Sequence, residues 1–137
     1  CSMMMGDFLT LVQMKLPVKI IVLNNGTLGF VELEMKANGF IDTGCDLRNP
    51  NFAAMAEAVG IKGIRVEKPQ DLRAAVQEAL AHDGPALVDV VSARQELIMP
   101  PTTTVEEATK FGLFMMKAVL DGRARELIDL AKVNFER

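Results

Sequence analysis

The chain has 137 residues, half of them hydrophobic and 24% charged, which excludes intrinsic disorder and fits one domain with a single core. Its net charge of −3 argues against nucleic-acid binding, because such binding needs a basic surface. One histidine disfavours a Ser-His-Asp triad and histidine-rich metal sites, and two cysteines fit a reducing cytoplasm better than a disulfide framework.

Short apolar runs alternate with helical patterns along the first two thirds of the chain. The runs cover residues 18–23, 61–66 and 86–91, and the helical patterns cover 3–14, 28–36, 51–58 and 69–81. Strands that are buried on both faces are continuous apolar runs, and this alternation is typical of βαβ units. In the helix over 69–81, Leu72, Val76 and Leu80 lie on one face, with Ala75 and Ala79 beside them. The sequence therefore predicts an α/β domain over residues 1–104, with a three-layer α/β/α architecture and a parallel sheet.

Residues 105–137 predict a C-terminal tail of two amphipathic helices, over 105–120 and 123–135. Thr104 and Glu107 have the spacing of a capping box, and Pro100-Pro101 separates the tail from the domain. The first helix is apolar on most of its surface because of Phe111, Phe114, Met115 and Met116. Ordinary packing against the domain is the preferred interpretation from these residues alone. An interface for another subunit and a surface that binds membrane lipid are the alternatives.

The most distinctive turn follows the first strand. Asn24-Asn25-Gly26-Thr27-Leu28 lies where the strand ends, which is the edge at which open α/β sheets bind ligands. Amide and main-chain carbonyl oxygens suit Mg²⁺, and the helix that follows offers N–H groups to a phosphate. An ordinary tight turn uses the same residue types, and the residues alone favour that interpretation.

The neighbouring sequence carries a family resemblance. PVKIIVLNNGTLGFVELE, over residues 17–34, resembles the second half of the thiamine diphosphate motif, which runs from Gly-Asp-Gly to Asn-Asn. Residues 3–17 resemble its connecting helix, and GIRVE at 63–67, DGPALVDVV at 83–91 and the tail helices extend the resemblance over essentially the whole chain. Within that superfamily the chain resembles quinone-reducing, membrane-associated pyruvate oxidases. An acetolactate synthase or a decarboxylase is one alternative, and a non-enzymatic α/β binding module is another.

The resemblance implies roles for individual residues. The side chain of Asn25 and the main-chain carbonyl of Thr27 would bind Mg²⁺. Phe30 and Glu34 would be catalytic residues near the reactive carbon of thiamine diphosphate, although Glu34 could equally be a solvated helix acid. The implied cofactor-binding turn comprises Asn24, Asn25, Gly26, Thr27 and Leu28.

The resemblance also implies a longer parent enzyme. Because the Gly-Asp-Gly of the family would precede Cys1, we expect an N-terminally truncated fragment that lacks one Mg²⁺ ligand and is inactive alone. The parent would oxidatively decarboxylate pyruvate and pass electrons through FAD, bound by another domain, to quinone. We expect a cytoplasmic homo-oligomer that associates peripherally with the membrane through its lipid-responsive tail.

Overall fold

The computed structural model describes residues 2–94, 96 and 104–135. Cys1, Pro100-Pro101 and the last two residues of the predicted tail lie outside this range. The strands are β1 (Lys19–Asn24), β2 (Lys62–Val66) and β3 (Ala86–Val91). The helices are α1 (Asp7–Gln13), α2 (Gly29–Ala37), α3 (Phe52–Ala58), α4 (Leu72–Ala81), α5 (Val105–Leu120) and α6 (Ala124–Phe135), with short 3-10 turns at Ser2–Met4 and Pro69–Asp71.

The chain divides into two compact units. The first consists of the chain up to Asn25 together with Arg48–Ser92, and it contains the sheet. The second consists of Gly26–Leu47 together with the chain from Ala93 onward, and it contains α2, α5 and α6. The predicted domain boundary between residues 104 and 105 stays a prediction.

The sheet of the first unit has three parallel strands in the order β1-β3-β2. Side chains of β3 alternate between its two faces. Val88 and Val90 pack with Ala75 and Ala79 of α4. On the opposite face, Leu87 belongs to a cluster formed with residues of α1 and α3. These helices on both faces confirm the predicted three-layer α/β/α fold.

One local prediction in this unit was wrong. The helix predicted over 3–14 is interrupted at Gly6, a poor helix former, so that a 3-10 turn precedes α1. On α4 it is Ala75 and Ala79, which the sequence placed beside the larger residues, that contact the sheet, and Leu80 is 64% exposed. Small side chains allow the helix axis to approach the sheet closely. The larger residues of α4 then lie at the edge of this contact.

The second unit contains the predicted tail helices. The capping box is confirmed, since the hydroxyl of Thr104 accepts a hydrogen bond from the N–H of Glu107 and the Glu107 carboxylate accepts one from the N–H of Thr104. Phe114 is completely buried, with its ring 5.7 Å from that of Phe111. Within the described ranges, none of the helices is long and apolar enough to cross a bilayer.

Candidate functional site

The end of β1 is fixed by its last residue, Asn24. The side-chain amide of Asn24 donates a 3.0 Å hydrogen bond to Asp89, and its oxygen accepts a 2.9 Å hydrogen bond from the amide of Asn49. Both ends of the Asn24 side chain are therefore used within the first unit. This geometry supports a role in orienting the turn, and direct cofactor contact by this side chain stays a prediction.

Asp89 organises several segments of the first unit. It is fully buried on the central strand, and one oxygen accepts hydrogen bonds from the N–H of Phe52, at 3.1 Å, and from Arg65, at 2.7 Å. Its hydrogen bond to Phe52 satisfies an amide at the start of α3. The pKa of Arg65 is raised by a hydrogen bond from its guanidinium to Glu67 and by the charge of Asp89, against the opposing effect of burial. The buried carboxylate therefore faces a permanent cation.

The turn itself continues from β1 into the second unit. Asn25, the predicted Mg²⁺ ligand, is half-buried and is the last residue of the first unit. Gly26 has a φ of +69°, a left-handed conformation that glycine adopts without a steric cost. The structure thus confirms a turn at this place, and the ligand role of Asn25 stays a prediction.

Thr27 is held by its side chain inside the second unit. Its buried hydroxyl lies 2.5 Å from a carboxylate oxygen of Glu32 and 3.1 Å from the carbonyl of Cys45. Thr27 also forms an isolated antiparallel bridge with Asp46. The hydroxyl is thus held inside the second unit, while the metal contact predicted for Thr27 is through its main-chain carbonyl. The donor set that the sequence predicts is therefore compatible with the arrangement of this residue.

The predicted catalytic residues lie on α2, which follows Leu28. No side chain caps the start of this helix, so its first amide groups are not occupied by a capping oxygen. Phe30 is 71% exposed, and Glu34 is exposed one helical turn further on. The two side chains thus share the exposed face of α2, as expected from their spacing. Their catalytic roles stay predictions.

The opposite face of α2 carries a buried ion network that the sequence analysis missed. Glu32 and Lys36 are 4% and 1% exposed, and their charged atoms are 2.6 Å apart. Lys36 also lies 2.6 Å from Glu126 of α6, and Arg94 lies 3.3 Å from Glu32. An acidic and a basic residue four positions apart usually indicate a solvated helix face. The only sequence feature that could have indicated burial of Glu32 and Lys36 was their position shortly after Thr27.

The network determines the ionisation of Glu32. Burial by itself would raise the pKa of this carboxyl, but hydrogen bonds from Lys36 and Thr27 and the positive charges of Lys36 and Arg94 outweigh it, so the pKa is lowered. Glu32 is therefore a carboxylate at neutral pH. In this form it can only accept hydrogen bonds, which fixes the Thr27 hydroxyl as the donor.

Comparison with known proteins identifies the family. Residues 1–90 match the family described as thiamine pyrophosphate enzyme, C-terminal TPP binding domain. The chain belongs to this family. Thiamine pyrophosphate is the same compound as thiamine diphosphate. The match confirms the cofactor class and the α/β fold that the resemblance implied.

Individual relatives support the same family. YdaP of Bacillus subtilis, whose name describes a thiamine pyrophosphate-containing protein, is 39% identical over 131 residues, which are 96% of this chain and 23% of YdaP. The mitochondrial acetolactate synthase of Schizosaccharomyces pombe is 38% identical over 102 residues, 72% of this chain and 15% of that enzyme. Acetolactate synthase 2 of Nicotiana tabacum is 40% identical over 95 residues, 62% of this chain and 14% of that enzyme.

The chain therefore spans less than a quarter of the length of these relatives. Their names support the thiamine pyrophosphate family without singling out a pyruvate oxidase.

Proposed function

We propose that this chain is the cofactor-anchoring part of a larger thiamine diphosphate-dependent enzyme that decarboxylates pyruvate. The observation that carries this proposal is the family match over residues 1–90, which includes the strand, turn and helix from β1 to α2. Membership of a cofactor-binding family argues against the alternative of a non-enzymatic binding module.

The residues of this chain would anchor and orient the cofactor. The amide oxygen of Asn25 and the main-chain carbonyl of Thr27 would hold Mg²⁺, which prefers oxygen ligands. The uncapped N–H groups at the start of α2 would favour the negatively charged diphosphate. Bound thiamine diphosphate supplies a ylid and an electron sink for decarboxylation. Phe30 would exclude water from the reacting space, and Glu34 would hold or move a proton there.

The finer proposal is a pyruvate oxidase that passes electrons through FAD to quinone. Its support is the resemblance along the whole chain, tail included, whereas the similarity to the acetolactate synthases covers 102 residues or fewer of the 137. An acetolactate synthase is the alternative, because proteins of that name are among the relatives.

Product analysis of the complete enzyme separates these candidates. The enzyme would be given pyruvate, Mg²⁺, thiamine diphosphate, FAD and a soluble quinone. Quinone reduction that matches pyruvate consumption would support the oxidase, and acetolactate without quinone reduction would support the synthase. An enzyme that neither binds thiamine diphosphate nor consumes pyruvate would contradict both proposals.

We propose that the tail contacts membrane lipid through α5. Met116 and Leu120 are 65% and 86% exposed and lie four residues apart on this helix. Phe114, which the sequence analysis included among the apolar tail residues available for contact, is instead part of the core of the second unit. Lipid contact would therefore use the exposed residues and would leave Phe114 in place.

We also propose that the chain self-associates through the outer edge of β1. Within the described residues this edge has no paired strand, and it exposes Ile21 and Leu23. The other edge strand, β2, carries two charged residues, Lys62 and Arg65, which discourage edge-to-edge pairing, whereas β1 carries only Lys19, at its start. Light scattering should show association that Ile21→Lys prevents and Leu80→Lys, an exposed leucine on α4, does not. A monodisperse wild-type monomer would contradict this.

A further inference from the structure

Glu32 connects the predicted Mg²⁺-binding turn to the interior of the second unit. One carboxylate oxygen lies 2.5 Å from the hydroxyl of Thr27, and the other lies 2.6 Å from the ammonium group of Lys36. All three side chains are buried. A carboxylate that is held on one side by a cation and on the other by a hydroxyl can orient that hydroxyl.

The tail completes the support of this carboxylate. Lys36 contacts Glu126 of α6 at 2.6 Å and lies 5.5 Å from the centre of the Phe114 ring of α5. Arg123 in turn lies 2.6 Å from Glu126 and 2.7 Å from Asp42. A network of hydrogen bonds and ion pairs therefore connects Thr27, through α2, to the start of α6.

We propose that Glu32 is a positioning residue for the metal site, and that Lys36 and the tail residue Glu126 hold it in place. This inference rests on the proposed function, because it assumes that the main-chain carbonyl of Thr27 binds Mg²⁺. The Thr27 side chain is held by Glu32 as well as by the carbonyl of Cys45, so we expect the Glu32 contact to contribute to the orientation of the Thr27 peptide group. The tail thus forms part of the support of the cofactor turn, in addition to any contact with lipid.

The chain offers a matched control for this buried pair. Glu106 and Lys110 of α5 form an ion pair with the same four-residue spacing and a distance of 2.7 Å, but both side chains are solvent-exposed. Glu106→Gln therefore removes a similar charge contact at a place without a hydrogen bond to the cofactor turn. Thr27→Ser and Thr27→Val form a second matched pair, because serine keeps the hydroxyl and valine removes it.

The test measures Mg²⁺ affinity in the complete enzyme. Mg²⁺ is titrated at constant thiamine diphosphate, binding is followed by calorimetry, and circular dichroism checks the fold of each variant. Glu32→Gln and Thr27→Val should each weaken Mg²⁺ binding about 10-fold or more, as is typical for groups that orient metal ligands. The double variant should be little worse than either single variant, because both remove the same hydrogen bond. Glu126→Gln should have a smaller effect in the same direction, Thr27→Ser should keep a clearly higher affinity than Thr27→Val, and Glu106→Gln should bind like wild type.

Two results would overturn the inference. One is a folded Glu32→Gln enzyme with wild-type Mg²⁺ affinity. The other is equal affinity of Thr27→Val and Thr27→Ser, which decides the matter even where Glu32→Gln does not fold. A wild-type enzyme without Mg²⁺-dependent thiamine diphosphate binding would instead contradict the proposed function itself.

Discussion

The side-chain amide of Asn24 donates a 3.0 Å hydrogen bond to the carboxylate of Asp89, which lies 65 residues later in the chain. Asp89 is buried on the central strand and also binds Arg65 and the main-chain N–H of Phe52. One carboxylate therefore joins the end of β1, the edge strand β2 and the start of α3. Because Asn25 follows directly, this contact fixes the strand end that carries the predicted metal ligand.

We expect Asp89→Asn to lower the free energy of unfolding by about 1.5–3 kcal/mol, the typical contribution of a hydrogen bond to a charged group. The variant removes the charge that Arg65 contacts inside the first unit. Glu67→Gln is the matched control, because Glu67 also binds Arg65 but its side chain is 65% exposed. Urea denaturation of the 137-residue chain measures both variants. Equal destabilisation by the two substitutions would show that the buried carboxylate is not the important partner.

Two glycine substitutions should have opposite effects. A Cβ atom at Gly63 would lie 2.2 Å from the carbonyl oxygen of Ala53, so Gly63→Ala must displace α3 from β2. We expect it to destabilise the chain by at least about 1–3 kcal/mol, the usual cost of overpacking. Gly112 lies inside α5 with no neighbouring atom within 4 Å of such a Cβ. Gly112→Ala should therefore stabilise the chain by about 0.5–1 kcal/mol. Thermal melts that shift in the same direction for both variants would contradict this packing.

The strands were the most predictable part of the fold. The run over 86–91 became β3 without any shift of its ends, because a β-branched apolar segment between turn residues has few alternatives. The strand order β1-β3-β2 could not be predicted, since it depends on pairing between distant segments. Helix faces were less certain, as α4 shows with its buried alanines and exposed Leu80.

The candidate site was predictable only in part. The turn after β1 was recognised from Asn24-Asn25-Gly26 and its resemblance to the family motif. The support of Thr27 was not, because Glu32 and Lys36 resemble a solvated pair unless Glu126 and Arg94 are known to meet them. Buried charges of this kind are recognised from tertiary contacts. The helical pattern of a sequence gives no information about those contacts.

The stability of the chain should fall at acidic pH because of Glu32. Its pKa in the folded state is below the ordinary value of 4.5, owing to Lys36, Thr27 and Arg94. The unfolded state therefore binds more protons, so the stabilisation is present above about pH 4.5 and is lost as the pH falls through the lowered pKa. The carboxylates of Asp42 and Glu126 lie within 4.8 Å of that of Glu32.

Urea denaturation at a series of acidic pH values measures this effect. Glu32→Gln should flatten the loss of stability on acidification. Glu106→Gln, at an exposed pair that solvent screens, should keep a slope close to that of wild type. Identical slopes for wild type and Glu32→Gln would contradict the assignment of the acid sensitivity to this carboxylate.

Lipid binding by the tail should depend on its exposed apolar residues. Replacement of both Met116 and Leu120 with serine should strongly reduce co-sedimentation of the complete enzyme with anionic vesicles, because apolar burial contributes about 25 cal/mol per Å². Lys132→Ala, on the exposed side of α6, should have a smaller effect. If the serine variant pellets like wild type, α5 does not contact lipid through these residues.

The central claim is that the turn after β1 anchors Mg²⁺ and thiamine diphosphate. Its most direct test is calorimetric titration of thiamine diphosphate into the complete enzyme, with and without Mg²⁺, for wild type, Asn25→Ala and the control Asn38→Ala at the exposed end of α2. We predict Mg²⁺-dependent binding by wild type and Asn38→Ala. Asn25→Ala should keep its fold and lose affinity by more than the roughly 10–100-fold that orienting groups cost. A folded Asn25→Ala enzyme with wild-type affinity for both Mg²⁺ and thiamine diphosphate would contradict the claim.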